Sequence, residues 1–209
     1  RDWSSDVCSS DLFDSVYLLW VSPALLLAAW AQWRVHAAYG QAAREPAPLS
    51  GAAAARHILD SAGATGVGIE AIPGRLNDHY DPRAKVLRLS EEVYAGRSMA
   101  AVGIAAHEAG HALQDAEGSS MMAVRNAAVG VANLGSGLGM LVFMVGLGLA
   151  LKPVAWLGIF LFAGTVFFQL VNLPLEIDAS NRAKAQLASL GIVSADGMPA
   201  VAEIGRAHV

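Results

Sequence analysis

Cysteine is nearly missing from these 209 residues. The single Cys8 falls in a terminal stretch set aside below, which excludes a disulfide framework, a thiolate zinc site and a cysteine nucleophile. Charge is scarce as well: 15% of residues are charged, the net charge is −4, and no basic cluster with interleaved aromatics occurs, which excludes a nucleic-acid partner. A phosphate-binding loop is also lacking. Gly135, Gly137 and Gly139 lie inside an apolar segment with no preceding strand, where small residues serve helix packing, so no nucleotide is expected. There is no internal repeat and no low-complexity tract. What the chain has in excess is apolar side chains, 55% of the total with a mean hydropathy of +0.43, a composition that places it with membrane proteins.

The two ends stand apart from the rest. Residues 1–12 (RDWSSDVCSSDL) and 203–209 (EIGRAHV) look like in-frame translations of a sequencing-library adapter in its two senses, and are excluded from fold reasoning. His208 then carries no functional weight. The native part runs from about Phe13 to Ala202, and truncation at the C-terminus is expected.

Three apolar blocks, residues 16–33, 127–151 and 154–173, each approach the roughly 20 residues a membrane-spanning helix needs. The first lacks a basic start and a small-residue cleavage site, and carries Trp20, Trp30 and Trp33 at interface positions, so residues 13–36 read as an uncleaved anchor. Only Lys152-Pro153 separates the other two, which makes 123–173 a tight helical hairpin. Arg34, Arg44, Arg125, Arg182 and Lys184 fall on one side of the bilayer against Lys152 on the other. The positive-inside bias then puts the first group in the cytoplasm. The expectation is a mainly α integral-membrane protein with three transmembrane helices, multi-pass in a cytoplasmic membrane, plus a small α+β domain over 37–122. Within that domain Ser50 can cap a helix ending near Gly63 and Gly66, residues 67–72 and 86–89 read as strands of a hairpin or meander, and Ser98 starts a long helix.

That helix carries His107-Glu108-Ala109-Gly110-His111, an H-E-x-x-H string. Histidines four apart share one helix face and can reach one metal ion, while the glutamate beside the first sits next to the metal's water. Glu108 is the expected general base, taking a proton from a water that zinc acidifies to a pKa of about 7 and passing it to the leaving amine. Catalytic zinc takes three protein ligands and keeps an open position. No third histidine follows at the spacing of the longer H-E-x-x-H-x-x-G-x-x-H pattern. The remaining candidates are Glu176 and Asp178, returned to the same side of the membrane by the hairpin. The alternative for both is an acid favoured by a helix N-terminus.

The stretches Asp78-His79-Tyr80-Asp81-Pro82, Lys85-Val86-Leu87-Arg88-Leu89-Ser90, Ala105 to Gln114 and Leu173-Pro174-Leu175-Glu176 to Arg182-Ala183 together resemble the YugP-like neutral zinc metallopeptidases of bacterial membranes. The resemblance covers residues 13–202. A hairpin between H-E-x-x-H and a ligand glutamate is similar, more distantly, to the HtpX-type membrane proteases, whose glutamate opens an E-x-x-A-D pattern. By that comparison Glu176, on the helix of 174–202, is the third zinc ligand and Ala179 the alanine. Ser180 stands where the aspartate would be, so Ser180 or Asn181 would replace a carboxylate behind a ligand histidine. The resemblance implies a Zn2+ peptidase of the gluzincin kind, and the membrane location makes membrane or membrane-proximal polypeptides the expected substrates.

Further catalytic candidates are His79 and Tyr80, as donors to the developing oxyanion, and Arg182, one and a half turns beyond Glu176. Their structural readings are a plain Asp-His-Tyr-Asp-Pro turn with Asp81 bonding its own backbone, and an arginine meeting lipid head groups. His36 and His57 receive no role. A free edge on the 86–89 strand is a candidate docking line for an extended peptide. The rival to an enzyme is a non-catalytic membrane scaffold stabilised by zinc, which would close its site with four protein ligands.

Overall fold

The computed structural model describes residues 15–75 and 77–208. Cys8 and the N-terminal residues set aside lie outside the described residues. The order is α1 (Ser15–Ala42), α2 (Gly51–Ser61), β1 (Gly68–Ile72), β2 (His79–Asp81), β3 (Val86–Ser90), α3 (Glu91–Ala95), α4 (Met99–Ala116), α5 (Ser120–Gly148), α6 (Lys152–Ser189) and α7 (Met198–His208).

Local chemistry sets the ends of several elements. Ser50 Oγ accepts from Ala53 N–H and Ser98 Oγ from Ala101 N–H, capping α2 and α4 as their sequences predict. Asp81 Oδ1 accepts from Arg83 and Ala84 N–H, an Asx turn that reverses the chain between β2 and β3, with Lys85 at φ 56 completing it. The strands form a mixed sheet in the order β1-β3-β2, β1 parallel and β2 antiparallel to β3. This corrects the expected free edge. β3 is paired on both sides, which leaves β1 and β2 as the edges, while Leu87 and Leu89, two residues apart, point to one face of the sheet and are buried in the core.

Helix α4 is the centre of the fold and is buried from Met99 to Gln114. Its alanines and glycines have little bulk, so α2, β3, α6 and α7 approach it closely, and Ile58, Leu59, Leu87, Leu89, Leu187 and Val201 close around it. Burying each such side chain contributes about 1.5–3 kcal/mol. The C-terminal residues set aside in the sequence are part of this packing: α7 runs through them, and Ile204 lies against Gly103.

Helices α5 and α6 pair as a hairpin turned by Ala150 at φ 54. Built Cβ atoms on Gly146 and Gly158 would lie 2.3 Å from Ala155 N and 2.4 Å from Phe143 N, so the two backbones touch only where a side chain is missing. Gly135 and Gly139 face α6 in the same way, while Gly137 faces open space. Among the described residues one helix, α6, is long and apolar enough to cross a membrane, with only 6% of its apolar window buried. The expectation of three such helices is not met by that measure. Among the described residues of α5, Gly135–Gly148 is an apolar helical stretch. Pro174 does not end α6, which stays helical to Ser189. Glu176 therefore rides on a rigid extension of the apolar helix.

Candidate metal centre

His107 and His111 are one turn apart on α4, their rings edge-on with centroids 4.8 Å apart, and both are nearly inaccessible to solvent. Glu176 enters from α6, its Oε2 3.1 Å from His107 Nε2 and 3.3 Å from His111 Nε2. Ligand-type atoms of the three residues lie within 4.8 Å of one another. The approach depends on Gly110: a Cβ there would lie 2.7 Å from the Ala179 carbonyl oxygen, so any side chain would push α6 and its glutamate away.

Proton positions show what this cluster needs. Ser180 Oγ donates to the Gly205 carbonyl and lies 3.1 Å from His107 Nδ1. With its one proton committed, the hydroxyl accepts from Nδ1–H. On His111, Nδ1 faces Gln114 Oε1 at 3.0 Å, while Gln114 Nε2 donates to the Leu175 carbonyl and to Asp178 Oδ2 at 2.7 Å. Those two acceptors fix the amide's orientation, so Gln114 oxygen accepts from His111 Nδ1–H. Both neutral imidazoles then turn bare Nε2 lone pairs toward a carboxylate, an arrangement that requires a proton or a cation between them. The spacing suits zinc, because four ligands at about 2.0–2.1 Å place neighbouring ligand atoms about 3.3 Å apart.

The electrostatics agree. Burial opposes the charge on Glu176, but hydrogen bonds from His107 and His111, formed when Nε2 carries a proton, outweigh it and hold the carboxyl far below the usual range. Burial also favours neutral His111, yet the Glu176 and Glu108 carboxylates raise its pKa above the ordinary value. Acidic groups around the rings thus attract positive charge into the cluster.

Glu108 is 3% exposed, and its Oε2 accepts from Tyr80 N–H at 2.9 Å. It lines a cavity of about 260 Å³ with His79, His111, Arg125, Asn172 and Glu176. A larger cavity, about 430 Å³, lies beside α1. Among its polar lining residues, Tyr39 and Arg75 donate to Glu92 and Ser90 donates to Asp78.

The other candidates fall differently. Tyr80 serves Glu108 through its backbone. Its phenol donates to Asp115 Oδ2 at 2.7 Å, and burial together with that bond pushes its pKa above the ordinary value, so it stays protonated and occupied. His79 is exposed at the rim, its Nδ1 2.7 Å from the Asn77 carbonyl. Arg182 lies outside the cavity: its Nε donates to Asp178 Oδ2 and its Nη1 to Glu117, each at 2.7 Å. Asp178, the alternative ligand, is held by Gln114 and Arg182 behind His111. Gln114, Asn172 and Arg125 were not legible as site residues. Gln114 has a retrospective signal, since it sits three residues after His111 on the same helix face. Replacing Gln114 by Ala should weaken zinc binding 10–100-fold, measured by competition with a chromogenic chelator; an unchanged affinity would remove it from the site.

A family model described as "Putative neutral zinc metallopeptidase" matches residues 17–208. The chain belongs to that family. Among curated proteins, "Putative membrane protease YugP" of Bacillus subtilis (strain 168) is 43% identical over 172 residues, covering 81% of this chain and 76% of the relative. No solved structure matches significantly. Membership makes Zn2+ the cofactor of the family's chemistry and a polypeptide its substrate, and the His107, His111 and Glu176 cluster is the candidate place for the ion.

Proposed function

We propose that this protein is an integral-membrane zinc endopeptidase of the gluzincin kind, with His107, His111 and Glu176 as zinc ligands and Glu108 as general base. One observation carries the reading: two Nε2 lone pairs and a carboxylate oxygen converge at 3.1 and 3.3 Å beside a buried acid. Bound zinc supplies Lewis acidity, acidifying a water and polarising the scissile carbonyl. Tyr80 N–H holds the Glu108 carboxylate in place to take the water proton and deliver it to the leaving amide nitrogen. Three protein donors would hold the ion among the described residues, one fewer than a closed structural site uses, which favours catalysis over the scaffold alternative.

Membrane insertion is supported by apolar side chains that face outward. Trp156, Phe160, Phe167 and Leu170 of α6 are 64–77% exposed, and Leu19, Trp20 and Trp33 of α1 are 64–79% exposed, far more apolar surface than water tolerates on one face. We read α1, α5 and α6 as three spans, the close-packed hairpin letting α5 cross beside α6. The arginine bias supports a site on the cytoplasmic side of a bacterial inner membrane. Membrane or membrane-proximal polypeptides are the substrates such a location favours. The detergent-solubilised protein should cleave an unfolded protein such as casein, lose the activity to a chelator and regain it with zinc. Cleavage indifferent to chelation would overturn the metallopeptidase reading.

A further inference from the structure

We propose that Arg125 is a catalytic residue, its guanidinium binding the scissile carbonyl oxygen as negative charge develops there. The inference rests on the peptidase reading above and assigns the one role which that reading leaves unfilled.

Four observations lead to it. Arg125 is the one Lys or Arg among the described residues lining the metal-side cavity, which also holds the acids Asp78, Glu108 and Glu176. It stands next to the reaction centre, with Nη2 3.9 Å from Glu176 Oε1, the oxygen turned away from the histidines. Its donors are not used up: 3.9 Å exceeds hydrogen-bond length, Oε1 is already held by Asn172 Nδ2 at 3.0 Å, and Arg125 Nε is buried with no partner among the described residues. Asn172, which lines the same cavity, has its Oδ1 likewise buried and without a partner among the described residues. The Arg125 guanidinium thus keeps hydrogen-bonding capacity in the cavity beside the metal position.

The rival donors are engaged elsewhere. Tyr80 hydroxyl is committed to Asp115, Arg182 to Asp178 and Glu117, and His79 turns its Nδ1 to the Asn77 carbonyl. Chemically, the water oxygen bonds to the carbonyl carbon and the C=O π pair moves onto oxygen. Glu108 carries the water proton to the amide nitrogen as the C–N bond breaks and the carbonyl re-forms. Arg125 keeps its protons throughout and stabilises the transient oxyanion from a low-dielectric wall.

The test compares Arg125→Ala, Arg125→Gln and Arg125→Lys with the wild-type full chain in detergent. It reads kcat and KM on a fluorogenic peptide, zinc affinity by chelator competition, melting temperature, and binding of a non-hydrolysable peptide phosphonate. The Ala and Gln variants should lose about 10²–10³-fold in kcat, and phosphonate affinity should fall in step with kcat/KM. Zinc affinity and melting temperature should stay at wild-type values, with the Lys variant intermediate. An unchanged kcat overturns the proposal. So does a parallel loss of zinc affinity, which would make Arg125 a support for Glu176. Wild-type protein that binds zinc but cleaves nothing overturns the peptidase reading itself, an outcome distinct from both.

Discussion

Glu108→Gln leaves zinc bound and the fold intact while peptide cleavage drops by about 10²–10⁴-fold. The separation follows from geometry. Glu108 is not among the three donors that converge on the metal position, so removing its charge takes away no ligand. Its oxygen accepts a hydrogen bond from Tyr80 N–H at 2.9 Å, and the glutamine side-chain oxygen accepts that bond equally well. What glutamine cannot do is take a proton from water and return it to the amine. Turnover measured on zinc-reconstituted protein, beside metal analysis and a melting curve, checks all three expectations. Full activity in the variant would show that another base serves, and loss of zinc would show that Glu108 is a ligand.

Glu176→Ala and Asp178→Ala should part company in the opposite sense. Removing Glu176 deletes a donor that lies 3.1 and 3.3 Å from the two imidazole nitrogens. It leaves two ligands where catalytic zinc uses three, so affinity should fall beyond the 10–100-fold typical of outer partners. Asp178 reaches the centre only through Gln114, whose amide also donates to the Leu175 carbonyl. Its loss should stay within or below that 10–100-fold range. Isothermal titration with zinc against a competing chelator ranks the variants. An Asp178→Ala defect as deep as that of Glu176→Ala would displace Glu176 from the ligand set.

Several parts of this fold were legible because the signals are local. The Ser50 and Ser98 caps and the Asp81 turn each depend on a few neighbouring residues, and all three stand where the sequence puts them. The strand order was not legible. Nothing within residues 86–90 reveals that β1 runs parallel on one side and β2 antiparallel on the other, because a pairing partner is a non-local choice. Pro174 misled in the opposite direction. A proline signals a helix boundary, but α6 absorbs it and carries Glu176 on one continuous helix.

The side chains around the metal position divide along the same line. Sequence alone put His107 and His111 on one face of a helix with Glu108 beside them, since a four-residue spacing and a 3.6-residue period leave no other arrangement. It also fixed the apolar character of the hairpin. Only the tertiary structure decided that Glu176, 69 residues from His107, meets the imidazoles while Asp178 stands behind Gln114. Only it showed that Tyr80 contributes a backbone amide instead of its hydroxyl, and that Arg125 is the cation on the cavity wall. The reason is physical: periodicity governs which residues share a face within an element, whereas contacts between elements depend on how closely backbones approach. Here that distance is set by the missing side chains of Gly110 and Gly158.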